Sequence, residues 1–314
     1  MNINDLKERV IKAIDENKEE IIKVNKDIYS TPEYGYKEVE TTKRTVEFLK
    51  NLNLEVEENI AVTGCKSVIK GNQDGPNIAI LGELDAISCV SHEDSVKTGA
   101  IHACGHNNQV AGMLGAALGL VKSGVMKELP GNVSIIATPS EEFIELEYRS
   151  KLREEGKLKY FGGKQELIRK GYFDDVDMAM MFHSLDMNGK KALVGPVSNG
   201  FIGKQIKFIG VESHAGSAPE EGVNALNAAN LAINNIHAQR ETFKDIDRVR
   251  VHSIITKGGD IVNSVPHDVQ MEAYVRARTI DGMLDANYKV DRSLKAGAMA
   301  LGAKVEITSI PGYL

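Results

Sequence analysis

Four short apolar stretches in the first part of the chain each run out into side chains able to hold a metal ion: "AILGELDAI", "AIHACGHNNQV", "SIIATPSEE" and "MAMMFHSL". Apolar, partly β-branched runs of this length read as strands, and helical stretches lie between them. Strand, helix and strand in repetition predict an α/β domain with a mostly parallel sheet flanked by helices on both faces. In such sheets the ligand crevice lies beyond the carboxyl ends of the strands. Four polar clusters far apart in sequence are therefore expected to meet at one crevice.

The residue types narrow the chemistry. Glu83 and Asp85 are two apart, so on an extended chain both carboxylates point to one side. Cys104 and His106 flank Gly105, which frees the backbone to turn so that both side chains converge; a helix starting near Asn107 or Asn108 could be capped by either asparagine. Glu141, Glu142 and His183 follow the other two strands. Thiolate, imidazole and carboxylate together suit zinc or another first-row divalent ion rather than calcium or magnesium. Adjacent glutamates invite a division of labour, one coordinating and one accepting a proton from water, although their spacing does not say which. Each cluster alone has a plainer reading: a solvated turn, a satisfied strand-end histidine, an inert thiol. Those readings do not explain why all four fall at the same end of consecutive strands. Cys65 and Cys89 are read as structural.

The remaining pattern sets the architecture. Helical spacing is expected over residues 3–28, ended by Thr31-Pro32, and again from Tyr36 to Asn51. Gln109 to Lys122 is apolar on nearly every side, as in a helix packed inside a large domain. After Gly195-Pro196 the order becomes β-α-β-β-α-β, with strands near 203–212, 249–257, 269–279 and 304–309; that is the ferredoxin-like unit. Two domains are predicted, 1–194 and 195–314. The net charge of −6 comes from interspersed acidic and basic residues, which gives no footprint for nucleic acid or an anionic membrane. No apolar run reaches the roughly 18 residues that span a bilayer. Three cysteines without a secretory leader fit a reducing cytoplasm. No Gly-rich phosphate loop follows a strand.

Seven stretches in order, "STPEYGYKE", "GELDAI", "TGAIHACGHNNQ", "TPSEEF", "MFHSL", "SHAGSAPEEGVNAL" and "GGDIVNSVPHDVQMEAYVRAR", resemble the metal-dependent aminoacylase and carboxypeptidase family, in its N-acyl amino acid amidohydrolase branch. The resemblance implies a zinc-exopeptidase-like catalytic domain with an inserted lid and dimerisation domain. It implies a homodimer and two divalent ions, zinc or manganese, that serve hydrolysis of an N-acyl amino acid or small dipeptide. By motif match Cys104, His106, Glu142 and His183 would be metal ligands, Glu141 the general base and Asp85 a residue that orients a ligand. His214 would polarise the scissile carbonyl in the partner subunit's site, and Asn263 and Arg276 would hold the substrate carboxylate, a task suited to the guanidinium fork. The chain departs from the branch at Asn107 and Gln109, where aspartate and histidine are usual. It also carries an insertion near 145–163, expected to be a charged surface helix or a flap over the substrate entrance. Family members continue past the lid and return one more histidine ligand to the catalytic domain. No histidine follows His267 here, so reduced metal content and impaired turnover are expected of these 314 residues. The alternative is a small-molecule binding or dimerisation protein that keeps the fold.

Overall fold

The amphipathic N-terminal stretch folds as two helices rather than one. In this computed structural model, which describes residues 2–313 apart from 187, 188, 190, 196 and 197, α1 (Ile3–Glu16) and α2 (Lys18–Tyr29) break at Asn17. The Asn17 amide donates to the Ala13 carbonyl at 2.7 Å, a side-chain bond to the backbone that competes with helix continuation. The next helix, α3 (Val39–Asn51), starts three residues later than its periodicity predicts, because Tyr36 takes a left-handed φ of 62°.

A hairpin follows, β1 (Val56–Ile60) and β2 (Gly64–Lys70), then β3 (Asn77–Glu83), the short pair β4 (Ile87–Ser88) and β5 (Ala100–Ile101), and α4 (His106–Ser123). The unit continues through β6 (Asn132–Thr138), α5 (Leu146–Glu154), α6 (Gly163–Arg169) and β7 (Met178–Met180). Its five-stranded sheet runs β1-β2-β6-β3-β7. The β6-β3-β7 core is parallel, as the strand–helix alternation implies, while β1-β2 and β2-β6 are antiparallel. The turn from Ala61 to Thr63 is too short for a crossover, so the first pair can only be a hairpin and the whole sheet is mixed. Helix α4 packs on β3 and is covered in turn by α1 and α2. Glycines permit that close approach: a Cβ at position 119 would stand 2.8 Å from Ile14, and one at 115 would stand 3.2 Å from Ile21.

Backbone packing divides the chain into residues 1–192 and 193–314. The second unit is β8 (Gly200–Ile209), α7 (Ala225–Ala238), β9 (Arg250–Lys257), β10 (Asp268–Ala277), α8 (Ile280–Ala300) and β11 (Lys304–Pro311). Its antiparallel sheet has the order β11-β8-β10-β9, with the β-α-β-β-α-β connectivity read from the sequence. Alternate β10 residues Val269, Met271, Ala273 and Val275 turn inward to the two helices.

Candidate metal centre

The carboxyl ends of β3 and β6 are in register, Glu83 opposite Thr138, and the polar clusters begin directly beyond them. The Leu84 N–H still bonds the Thr138 carbonyl at 2.9 Å, which carries the chain on to a fully buried Asp85. Gly105, with φ 78°, caps α4, and His106 is the first helical residue. The asparagines do not cap the helix as expected. The Asn107 amide donates to Asn25, and the Asn108 side-chain oxygen accepts from Asn25, at 3.1 and 2.8 Å. A left-handed glycine already turns the chain, so both are free to tie α4 to α2. Beyond β6, Ser140 adopts φ 52°, and its N–H is taken by the buried Glu38 carboxylate at 2.7 Å. The Glu142 N–H bonds the Asp85 carboxylate at 2.9 Å.

Ligand atoms of Cys104, His106 and Glu142 all lie within 4.8 Å of one another, and so do those of Glu83, His106 and His183. The His106 Nδ1 lies 2.7 Å from the Asp85 carbonyl oxygen, which can only accept, so Nδ1 carries a proton and Nε2 faces the cluster. That Nε2 is buried and makes no hydrogen bond, yet it lies 3.1 Å from a Glu83 carboxylate oxygen. Two such atoms at that distance need a proton or a cation between them. A divalent ion fits this demand, and thiol, imidazole and carboxylate are the donors zinc takes. The exposed His183 uses its Nδ1 on the Ser184 carbonyl at 2.7 Å, and its ring stands perpendicular to that of His106 with centroids 5.8 Å apart.

Electrostatics follow from crowding. Burial pushes His106 down, but Asp85, Glu83 and Glu141 outweigh it and raise the imidazole to about 9. Burial, then a hydrogen bond to the Glu142 carboxylate and the charges of Glu142, Glu141 and Asp85, push the Cys104 thiol up to about 12. Burial and Glu83 raise Glu141 above the ordinary carboxylate range, with Lys164 pulling the other way. For Asp85 burial also acts upward, but the hydrogen bond and charge of His106, with the N–H groups of Glu141 and Glu142, hold it below its usual value. His102, buried beside His106, is depressed to about 4 by burial and by that neighbour.

In the second unit His214 and Asn263 lie on adjoining loops, where the Ala215 N–H bonds the Asn263 carbonyl at 2.9 Å. The His214 Nδ1 accepts from the N–H groups of Gly216 and Ser217, both at 3.1 Å, which leaves Nε2–H outward as a donor. Arg276 is not with them. It sits at the other end of β10, its guanidinium 5.3 Å from the Tyr274 ring centre. Eight strand residues at about 3.3 Å each put it roughly 25 Å from the His214 end.

Several residues of the centre are assigned no role by sequence reasoning. Glu83 stands out there only as metal-competent, but here it accepts from Gln109 at 2.8 Å and pairs with Lys164. That gives the unusual Gln109 a function, as a donor that steadies a carboxylate. Glu38, raised to about 8 by burial and by Asp85, belongs to the early "PEYGYKE" stretch, and its carboxylate accepts from the Thr63 hydroxyl and from the Ser140 N–H a hundred residues on. The insertion carries a helix, as expected: α5 turns Glu147, Lys151 and Glu154 outward, while Leu146, Arg149 and Leu152 are buried, as are Leu158 and Phe161 beyond it. Its many charges hide the spacing of the few residues that turn inward.

Comparison with known proteins adds an independent line. Residues 198–295 match the peptidase dimerisation domain of the M20 family. The chain is 31% identical over 285 residues to thermostable carboxypeptidase 2 of Saccharolobus solfataricus, covering 87% of this chain and 67% of that protein. It is 29% identical over 319 residues to the Xaa-Arg dipeptidase of Mus musculus, covering 97% and 66%. The crystal structure of a Bacillus subtilis dinuclear metal-binding peptidase from the M20 family shares the fold, with TM-score 0.59, 24% identity and coverage of 94% of this chain and 74% of that one. The chain spans about two thirds of the length of the curated relatives described here.

Proposed function

The chain belongs to the M20 peptidase family, and on that premise we propose that it takes part in metal-dependent hydrolysis of the amide bond of an N-acyl amino acid or small dipeptide. The observation that carries this reading is the convergence of Cys104, His106 and Glu142, whose ligand atoms lie within 4.8 Å of one another. With His183 they are the proposed ligands of two divalent ions. Zinc or manganese held there supplies Lewis acidity toward the scissile carbonyl and the attacking water. Asp85 fixes the His106 tautomer through its carbonyl and steadies Glu142 through its carboxylate. Glu141, its affinity for protons raised by burial, takes the proton from the attacking water and hands it to the leaving amine. The second unit is the proposed dimerisation element. Its His214 would donate to the carbonyl oxygen, and Asn263 of one copy with Arg276 of the other would hold a free carboxylate on the leaving amino acid, since within one copy they stand at opposite ends of the sheet.

Replacing Glu141 separates base from ligand. In the family's full-length context, Glu141→Gln is expected to cut turnover of an N-acyl amino acid by about 10²- to 10⁴-fold with metal content unchanged. Loss of metal would mean that Glu141 and Glu142 have exchanged roles. A wild-type protein that binds metal but hydrolyses no N-acyl amino acid or dipeptide would favour the binding and dimerisation alternative.

A further inference from the structure

The insertion brings one cation into the interior. Arg149, on α5, is 0% exposed and among the described residues pairs with no carboxylate. Its Nη1 donates to the Phe161 carbonyl at 3.1 Å and its Nη2 donates to the carbonyl of Glu142. The rings of Phe143 and Tyr36 lie 5.6 and 5.8 Å from the guanidinium carbon. Burying a guanidinium without a counter-charge is costly, the more so because the Arg149 Nε makes no hydrogen bond, and a helix residue could have faced water instead.

What those bonds hold is the backbone of a proposed ligand. Ser140 and Glu145, on either side of the Glu141–Glu142 pair, both have left-handed φ values of 52°, a conformation that persists in non-glycine residues only where the surroundings enforce it. Asp85 grips the Glu142 N–H from one side, and Arg149 grips its carbonyl from the other. The insertion is fastened in turn to the 35–37 turn: Lys37 pairs with Glu145 at 2.7 Å, and Tyr148 donates to the Tyr36 carbonyl at 3.4 Å. Gly35 makes room for this, since a Cβ there would stand 2.7 Å from the Arg149 Nη2.

We propose that Arg149 is a positioning residue: by fixing both peptide planes around Glu142 together with Asp85, it sets where the Glu142 carboxylate stands and so the affinity of the centre for its metal. This rests on the reading of Cys104, His106 and Glu142 as a metal centre. The insertion is then a brace built into the site.

The test is titration of the metal-free protein with zinc against a chromophoric chelator, with cobalt(II) absorption as a report on ligand geometry. Arg149→Met is expected to weaken zinc binding ten- to a hundred-fold, the usual cost of losing a group that orients a ligand, and to shift the cobalt spectrum. Arg149→Lys, which reaches one carbonyl instead of two, should fall between Met and wild type. A folded Arg149→Met protein with wild-type zinc affinity overturns the proposal. If the Met variant does not fold, wild-type affinity in the Lys variant overturns it. Glu142→Gln separates the two levels of inference. Zinc binding undiminished in Glu142→Gln would remove the metal-centre reading and this proposal with it, whereas loss there with intact affinity in the Arg149 variants removes the brace alone.

Discussion

At the scale of single residues the centre is a contest between protons and cations. The Cys104 thiol, raised to about 12, holds its proton across the usable pH range, yet only the thiolate is a metal ligand. Metal uptake must therefore expel that proton. The sign is fixed by the direction of the shift: below about 12 each fall in pH favours the thiol, so zinc affinity should rise with pH throughout the measurable range. Calorimetric titration in two buffers of different ionisation enthalpy should report about one proton released per ion bound at this ligand, and Cys104→Ser should abolish that part of the release. A buffer-independent heat in the wild-type protein would contradict it. Glu142 and His183 are legible as candidates because each follows an apolar strand of the sheet; Cys104 and His106 are legible from the glycine between them, since the strand before them is only the two-residue β5 of a separate pair. Arg149, Glu38 and Lys164 are not, because their roles depend on carbonyls and carboxylates that only the folded chain brings to them.

At the scale of elements, the angle at which α4 leaves the Cys104 turn sets the distance between thiol and imidazole. Gly105 makes that turn with φ 78°, and a Cβ there would stand 2.8 Å from the Ser184 Oγ, next to His183. Gly105→Ala is expected to cost about 1–2 kcal/mol in unfolding free energy from the left-handed backbone alone. Relief of the clash should also displace either the Cys104–His106 pair or His183. Urea unfolding and zinc titration of the same variant check both effects; unchanged zinc affinity would mean that the turn has slack. The order of the elements is readable from periodicity, and in the second unit strand and helix limits shift by only a few residues. The N-terminal break at Asn17 and the late start of α3 are not readable, since each is decided by one backbone or side-chain choice that leaves the apolar spacing intact.

At the scale of the whole molecule, two units divide the proposed work. The first gathers the proposed metal ligands, and the second presents His214 and Asn263 at one end of its sheet and Arg276 at the other. A separation of that size within one unit means that a small substrate cannot touch both ends of the same sheet, and under the proposed function the two ends would serve different copies. In the full-length context, mixing inactive His214→Ala and Glu141→Gln proteins should restore up to about a quarter of wild-type turnover, by random pairing of halves, if His214 serves the partner. No recovery after subunit exchange would place its action within its own subunit.

Helix α4 has a consequence for anyone who later compares many sequences of this kind. Gly115 and Gly119 meet side chains of α2 and α1 at distances that leave little or no room for a methyl group, about two and a half and three and a half turns along the helix that begins with His106. Selection for packing would hold those positions as firmly as selection for catalysis holds the ligands. Invariance along this segment therefore cannot by itself rank residues by chemical importance, and the buried residues of α1 and α2, Leu6, Ala13, Val24 and Ile28, should prove less tolerant of mutation than the exposed residues around them although none is a proposed ligand.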